Sequence, residues 1–364
     1  MQNTHQIYLI LAYSGRTLAQ SAFLADIPVV VVDLFGDQDT RRYAKQVLTL
    51  REFSEETILP LIENLWWQYD FAGLVIGSGF ESRTALIRVL EDRWPVYGNS
   101  ADTIRKAKDP FYLTDLFHHL KLSYPLVQTK ALPGGQWLVK KTGGSGGDHV
   151  HWYQGQWETR SGIYFQAYQS GEEGSVLFLA DSENDNATII GYNRSWTENE
   201  KSFRFGGAVT LDEIPISAEI DRAVRAITKL LGLKGMCGID FIVDSEGRLH
   251  FLEINPRPPG TFDLHEKKGS SLFPAHLDAC QGNFSEITLS KEVFIAKSIV
   301  YARKQWNYKD LDWPEWAADI PDEKQSVQQG EPLCTVYARG ADADTAVKLV
   351  HNRHLEIEAE LFQF

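Results

Sequence analysis

Residues 235–261 read GMCGIDFIVDSEGRLHFLEINPRPPGT, and this stretch decides the fold. Two apolar runs, 239–243 and 249–255, flank the short sequence Asp-Ser-Glu-Gly, a pattern typical of a β-hairpin. Side chains alternate along a strand, so Glu253 and Asn255 share one face. Asp240 falls in the partner strand, within a run that is too hydrophobic to be a solvated edge.

These three side chains favour a cation site. A carboxylate buried in such a strand is costly unless an opposite charge neutralises it. Asp240, Glu253 and Asn255 offer the hard oxygen ligands that a magnesium ion prefers. Arg257 follows in a turn stiffened by prolines, where it suits metal-bound polyphosphate. The alternative is an ordinary hairpin with solvated carboxylates.

Composition excludes several classes of protein. The 364 residues, 43% hydrophobic and 12% aromatic, suffice for two or three globular domains. A net charge of −13 disfavours nucleic acid and anionic membranes as partners. Three widely spaced cysteines without a CxxC motif predict a reducing compartment and no zinc site. The N-terminus resembles neither a signal peptide nor a membrane span, so we expect a soluble cytoplasmic protein.

Three domains are predicted along the chain, and the fold class is α/β and α+β. Residues 1–100 alternate short β-rich runs with helical segments, which is typical of an open α/β domain with parallel strands. Residues 101–284 begin with a helical connector, from 101 to about 120, and continue as an α+β pattern with antiparallel strands. Residues 285–364 form a small C-terminal α+β segment.

A glycine-rich loop follows the predicted strand at the start of WLVKKTGGSGGD, residues 137–148. Glycines let backbone N–H groups approach phosphate oxygens, and Lys140 could reach an α- or β-phosphate. The loop is not a Walker A loop, because its lysine precedes the glycines. A mobile hairpin without a ligand is the alternative.

The sequence YFQAYQSGEE, residues 164–173, predicts an extended run that enters a turn. Extended backbone can pair with the edge of a purine. Glu173 could then accept hydrogen bonds from both ribose hydroxyls. A solvated glutamate in a turn is the alternative interpretation.

Taken in order, the lysine with its glycine-rich loop, Gln-x-Tyr-x-x-Gly-x-Glu, the strand aspartate and Glu-x-Asn-x-Arg resemble the ATP-grasp superfamily, from about residue 101 to 264. The resemblance implies an N-terminal α/β (pre-ATP-grasp) domain followed by a two-subdomain ATP-grasp fold. It also implies a ligase that joins a carboxylate to an amine through an acyl-phosphate. The loops at 14–16, 33–37 and 77–81, with residues 319–321, are similar to those of carboligase-like members associated with one-carbon cofactor pathways.

The resemblance assigns roles to individual residues. It makes Lys140 and Arg257 catalytic, and it assigns one or two magnesium ions, which manganese could replace, to Asp240, Glu253 and Asn255. The residues that it implies for ATP binding are Lys140, Gly143, Gly144, Ser145, Gly146, Gly147, Gln166, Tyr168, Gln169 and Glu173. Many members have a connector lysine where this chain has Pro110, so Lys106 or Lys108 is expected to substitute.

Small-molecule carboxylate and amine substrates are the expected partners, and a homodimer is left open. Position along the chain suggests substrate contacts at Arg16, Gly79, Arg194, Arg204, Gly206 and Gly207. Two other functions stay open: a small-molecule kinase on the same ATP site, and a non-catalytic ATP-binding regulatory protein. Pro110 and Lys141 depart from the family pattern and suggest the latter, whereas the retained metal ligands and Arg257 argue against it.

Overall fold

A computed structural model of the chain describes residues 6–155, 161–212, 214–266, 271–283, 293–309, 311–323 and 325–362. Within these ranges the chain forms three main sheets and a two-stranded ribbon. No helix among the described residues is both long and apolar enough to cross a membrane. The mixed α/β and α+β fold class predicted from the sequence is confirmed.

The N-terminal sheet is parallel, as predicted, with strand order β3-β2-β1-β4-β5. Strands β1 and β2 are almost wholly apolar and buried, which is typical of parallel strands covered by helices on both faces. The elements are β1 (Ile7–Leu11), α1 (Arg16–Leu24), β2 (Val29–Asp33), α2 (Gln38–Tyr43), β3 (Gln46–Thr49), α3 (Glu55–Gln68), β4 (Phe71–Ile76), α4 (Thr84–Arg93) and β5 (Val96–Tyr97).

The connector consists of two helices, α5 (Ala101–Ala107) and α6 (Pro110–His119), where the sequence predicted one continuous stretch. Pro110 cannot supply the N–H that a continuous helix needs, so the first helix ends before it. Asp109 begins the second helix, because its Oδ1 accepts hydrogen bonds from the backbone N–H groups of Phe111 (3.0 Å) and Tyr112 (3.2 Å). The break turns the chain at Lys108.

A four-stranded antiparallel sheet with order β6-β9-β7-β8 follows the connector. It carries the predicted lysine strand and the predicted purine strand next to each other, since Lys140 pairs with Tyr164 in the register. Its strands are β6 (Val127–Gln128), β7 (Trp137–Lys141), β8 (His151–Trp152) and β9 (Ile163–Ala167).

The largest sheet has eight strands in the order β14-β13-β10-β11-β12-β15-β19-β17. Helix α7 buries one apolar face on it and ends at Gly232, which adopts a left-handed φ of 70°. The remaining elements are β10 (Glu172–Asp181), β11 (Asn186–Thr197), β12 (Phe205–Leu211), α7 (Ser217–Leu231), β13 (Lys234–Val243), β14 (Leu249–Asn255), a 3-10 helix (Phe262–His265), α8 (Leu272–Cys280), β15 (Phe294–Tyr301), β16 (Trp306–Asn307), β17 (Ala317–Ala318), β18 (Ser326–Val327), β19 (Pro332–Gly340) and α9 (Ala343–Leu361).

Hydrogen bonds between β12 and β15 join the C-terminal segment to this sheet. The sheet is therefore continuous across the boundary that the sequence suggested between residues 284 and 285, and the division into three domains stays a prediction. On the other side, the N-terminal sheet packs against the eight-stranded sheet through a shared core that includes Ile10, Val31, Leu177 and Phe273. The loop after β4 lies beside the end of the hairpin β13–β14, where Glu81 contacts Arg257, whereas the loop after β1 leads to Arg16, which contacts Asp319.

Candidate active site

The hairpin predicted from residues 235–261 is present as the antiparallel pair β13–β14. Asp240 lies directly opposite Glu253, and Asn255 Nδ2 donates a 2.9 Å hydrogen bond to Asp240 Oδ2. The amide nitrogen of Asn255 thereby fixes the orientation of Asp240, while its carbonyl oxygen accepts from cationic side chains. The three predicted metal ligands are thus brought together.

Electrostatics distinguishes the two carboxyl groups. Burial raises the pKa of Asp240 to about 6, and the neighbouring charge of Glu253 acts in the same direction. Burial would also raise the pKa of Glu253, but the ammonium groups of Lys108 and Lys140 outweigh it and lower that pKa to about 2. Two repelling carboxyl groups and an amide oxygen form a donor set that fits a magnesium ion.

The described residues contain no group of three or more His, Cys, Asp or Glu side chains that could hold a metal ion. The predicted site has only two carboxylates and an amide. Magnesium is typically bound by one or two carboxylates together with substrate phosphates and water. The two-carboxylate set therefore suits an ion that arrives with a nucleotide better than one held by the protein alone.

Lys108 is the connector lysine that reaches this site. Its Nζ donates hydrogen bonds to Glu253 Oε1 and, at 3.2 Å, to Asn255 Oδ1. Lys106 instead lies at the surface and pairs with Asp102 at 2.8 Å. The sequence left the two lysines undecided, and the break after α5 selects Lys108 by turning it toward β14.

Glu81 holds Arg257 in place, a role that the sequence did not reveal. Arg257 Nε donates to Glu81 Oε1 at 2.7 Å, and its Nη2 lies 3.4 Å from Asn255 Oδ1. Burial would raise the pKa of Glu81, but Arg257 and Lys108 lower it, so the carboxylate stays charged. The signal available in the sequence was a glutamate just after Gly-Ser-Gly, at the carboxyl end of a parallel strand.

Lys140 and Gln166 meet at the other side of the site. Lys140 Nζ donates to Gln166 Oε1 at 3.0 Å, while Lys141 points to the exposed face. Burial lowers the pKa of Lys140, and the charge of Glu253 opposes this effect. Gln166 Nε2 is a buried donor beside Tyr124, and its contact with the phenol opposes the larger effect of burial, which raises the pKa of Tyr124.

The remaining nucleotide candidates lie near this pair. The Tyr168 ring packs on Trp152, with centroids 4.7 Å apart, and its backbone N–H already donates to Gln136 O at 2.9 Å. The amide of Gln169 donates to Ser170 O. Burial and the charge of Asp240 raise the pKa of Glu173, so this carboxyl group is electrostatically part of the site.

The glycine-rich loop packs between two parts of the protein. A Cβ at Gly143 would lie 2.9 Å from Ser82 Cα, and one at Gly147 would lie 1.9 Å from Phe203 O. Both glycines have left-handed φ values, 72° and 85°, as does Gly146, and Gly146 O accepts a 3.0 Å hydrogen bond from Phe205 N. Ser145 lies between these contacts. The loop is thus held between Ser82 on one side and residues 203–205 on the other.

A cleft that is partly open to solvent lies beside this loop. Lys108, Lys141, Gly143, Gly144, His149 and Glu253 line it, together with residues of the connector. It joins Lys108, the glycine-rich loop and the hairpin in one space, and Lys140 is not among its lining residues. His149 is a lining residue that the sequence analysis did not single out.

Two of the predicted substrate residues lie in the N-terminal loops and have protein partners. Arg16 is 3% exposed, and it donates to both carboxylate oxygens of Asp319, at 3.0 and 3.2 Å. Gly79 packs on the Tyr13 ring, and its N–H donates to Glu81 Oε2 at 2.8 Å. The structure therefore does not bring Arg16 into the cleft, whereas Gly79 supports it through Glu81.

The other four predicted substrate residues lie on β11 and β12 or in the loop between them. Arg194 pairs with Asp344 at 2.7 Å, on the opposite face of the sheet from the row that contains Asp240. Arg204 pairs with Glu198 at 2.6 Å. Gly206 and Gly207 allow close packing against β15, because Gly206 O accepts from Ser298 and a Cβ at Gly207 would lie 2.3 Å from Lys297 O. The assignment of these residues to a substrate stays a prediction.

Comparison with family models gives a match for residues 107–261, to the ATP-grasp domain. The match covers the connector, the lysine strand, the glycine-rich loop and the hairpin with its arginine. Comparison with curated proteins gave no match.

Solved structures resemble the chain over nearly its whole length. The L-amino acid ligase of Bacillus licheniformis has a TM-score of 0.73 at 12% identity, covering 95% of this chain and 96% of that chain. Biotin carboxylase of Campylobacter jejuni in complex with β-γ-ATP has a TM-score of 0.73 at 13% identity, covering 96% of this chain and 91% of that chain. The N5-carboxyaminoimidazole synthetase of Staphylococcus aureus complexed with ADP has a TM-score of 0.72 at 16% identity, covering 96% of this chain and 97% of that chain. At these identities the likeness shows the fold.

Proposed function

We propose that the chain is an ATP-grasp protein and acts as an ATP-dependent ligase that joins a small-molecule carboxylate to an amine through an acyl-phosphate, releasing ADP and phosphate. One observation carries the proposal. The charges of Lys108, Lys140 and Arg257 act on the carboxyl groups of Asp240 and Glu253, and Lys108 and Glu253 line one cleft together with the glycine-rich loop. Such an arrangement binds polyphosphate and metal together.

Buried polar side chains position ATP in this proposal. Lys140 supplies a buried positive charge for the phosphates, and Nε2 of Gln166 supplies a donor for the purine edge. Glu173 accepts from the ribose hydroxyls. The glycine-rich loop presents backbone N–H groups to the β- and γ-phosphates.

Asp240, Glu253 and Asn255 would hold one or two magnesium ions, and manganese could use the same oxygen ligands. When bound, the metal would neutralise phosphate charge and align the γ-phosphate for transfer. Lys108 donates to Glu253 and Asn255, so its ammonium supplies positive charge at the same oxygens.

The reaction then proceeds in two displacements. A carboxylate oxygen of the first substrate attacks the γ-phosphorus, the bond to the β-phosphate oxygen breaks, and ADP leaves. The amine nitrogen next attacks the acyl carbon, the bond to the phosphate oxygen breaks, and the amine loses one proton as the amide forms. Arg257, held by Glu81, stabilises the negative charge on the transferring phosphoryl group.

We place this reaction in the cytoplasm and in cofactor biosynthesis. Free cysteines at 237, 280 and 334 support a reducing compartment. The similarity of the N-terminal loops to those of carboligase-like members supports a role in cofactor biosynthesis. A homodimer is compatible with this role and with a cytoplasmic location.

The test is phosphate release from magnesium-ATP with pooled amino acids and amines, followed by mass spectrometry of the products. We expect ADP, phosphate and an amide in equal amounts. Glu253→Gln should abolish release, because it removes a metal ligand, while the matched change Glu246→Gln in the exposed hairpin turn should not. A phosphorylated product without phosphate release would replace the ligase with a kinase, and an active Glu253→Gln variant would overturn the magnesium assignment.

A further inference from the structure

His149 follows the glycine-rich loop and lines the same cleft as Lys108 and Glu253. The charges of Lys108, Lys140 and Glu253 all act on its imidazole, so the ring lies within the electrostatic field of the proposed phosphate site. Its placement indicates that the ring faces whatever occupies the cleft.

Gly144 provides the space in which the His149 ring lies. A Cβ at Gly144 would lie 2.3, 2.4 and 2.5 Å from three atoms of that ring, and these are its nearest neighbours. Gly144 differs here from Gly143, Gly146 and Gly147, because its φ is not left-handed. The backbone at position 144 would therefore accept an alanine, and the imidazole is the nearest obstacle to its Cβ. This glycine is required by a side chain and not by its own conformation.

The two ring nitrogens differ in their surroundings. Nδ1 is buried against the loop and has no hydrogen-bond partner among the described residues. A buried N–H without a partner is more costly than a bare acceptor, so the proton belongs on Nε2. Burial lowers the pKa of His149 to about 4, with Glu253 opposing and the two lysines assisting, so the ring is neutral at pH 7. Nε2–H is then a neutral donor beside a cleft rich in positive charge.

We propose that His149 binds the polyphosphate of the nucleotide by donating a hydrogen bond from Nε2, and that Gly144 is glycine in order to seat the ring for this contact. The inference rests on the proposed function, since it deepens the nucleotide site of the same cleft. A neutral donor adds affinity for phosphate without adding repulsion to Lys108 and Lys140. It also links closure of the glycine-rich loop to occupancy of the phosphate site.

The first experiment measures binding of ATP, ADP and adenosine by calorimetry, with magnesium and without acceptor substrates. A hydrogen bond to a charged group predicts that His149→Ala weakens ATP and ADP binding by roughly ten- to a hundredfold and leaves adenosine binding unchanged. His149→Gln, whose amide reaches the position of Nε2, should stay within about threefold of the wild type. His149→Asn, which reaches only the position of Nδ1, should resemble alanine. His151→Ala, at the exposed start of β8, is the matched control.

The second experiment is a double-mutant cycle between positions 144 and 149. Gly144→Ala alone should weaken ATP binding about as much as His149→Ala, because the Cβ displaces the ring. In the His149→Ala background the same change should cost less than about twofold, since no ring remains to be displaced. Thermal unfolding of each variant verifies that the fold is retained.

The outcomes separate the two levels of inference. A wild-type protein that binds no ATP would overturn the proposed function together with the role of His149. Wild-type ATP binding with unchanged affinity in His149→Ala would overturn only the role of His149. Losses that multiply in the cycle would show that Gly144 serves phosphate through its own backbone, which contradicts the seating of the ring.

Discussion

Replacing Lys108 with methionine should destabilise the nucleotide-free protein, whereas the same change at Lys106 should not. The Lys108 side chain is 5% exposed and contacts Glu253, while the Lys106 side chain is 36% exposed and contacts Asp102. Methionine keeps the apolar stem and removes the charge. The pair of variants therefore isolates the contribution of a buried ammonium group from that of packing.

The magnitude follows from the charge state of Glu253. Its pKa falls from an ordinary 4.5 to about 2, against the effect of burial, because Lys108 and then Lys140 lie nearby. At 1.36 kcal/mol per pKa unit, the folded state favours the charged carboxylate by about 3 kcal/mol. Since the pKa is lowered, this stabilisation is complete above about pH 4.5 and is lost as the pH falls towards about 2. At pH 7, Lys108→Met should forfeit about 2 to 3 kcal/mol.

Thermal unfolding in metal-free buffer at pH 7 measures this loss. For a chain of this length about 1 kcal/mol corresponds to roughly 1–2 °C, so Lys108→Met should unfold roughly 2–6 °C below the wild type. Lys106→Met should unfold within about 1 °C of it, because an exposed ion pair contributes little. Magnesium should stabilise Lys108→Met more than the wild type, since it restores a cation beside Glu253. Equal unfolding temperatures for all three proteins would refute this account of Lys108.

Three other changes test separate parts of the structure. Gly147→Ala should make the glycine-rich loop more sensitive to protease and raise the KM for ATP at least tenfold, because the new Cβ would meet a backbone oxygen. In the control variant Gly146→Ala the new Cβ meets nothing within 4 Å, so the change should cost only about 1 kcal/mol of backbone strain. Equal effects of the two changes would contradict the packing of the loop. Arg257→Lys should lower kcat for phosphate release by about 10²-fold, since lysine lacks the guanidinium fork, and an unchanged kcat would remove the arginine from the mechanism. Burial raises the pKa of Glu266 from 4.5 to about 7. Between these pH values the folded protein keeps a proton on Glu266 that the unfolded chain releases, so the free energy of unfolding falls as the pH rises from 4.5 to 7. Glu266→Gln should therefore gain about 2 to 3 kcal/mol on the wild type between pH 5 and pH 8 in urea unfolding, and parallel pH profiles would argue against a buried charge at this position.

Local patterns in the sequence were sufficient for the elements that carry the site. The hairpin follows from alternation and a short turn, although the bulge that sets Asp240 opposite Glu253 leaves no such local signal. The apolar runs that became β1, β2 and β4 predicted a parallel sheet because covered strands need no polar face. Each of these patterns spans only a few residues, so it predicts its strand or hairpin without knowledge of the rest of the fold.

The connector shows where local patterns mislead. Helical spacing continues through Pro110, which made one helix the expected result, yet the ring and the missing N–H of proline divide it. The cap by Asp109 then fixes the direction of the second helix. The consequence is large, because the division turns Lys108 into the cleft.

Local sequence patterns were enough to predict the fold class, the order of the nucleotide and metal elements, and most of the side chains that could serve them. Which charges meet depends on how distant segments pack in three dimensions. Glu81 and Arg257 are 176 residues apart, and Arg16 and Asp319 are 303 residues apart, so neither pairing leaves a local trace. The same holds for Lys108 with Glu253, since the partner of a buried charge is selected by the packing of distant elements.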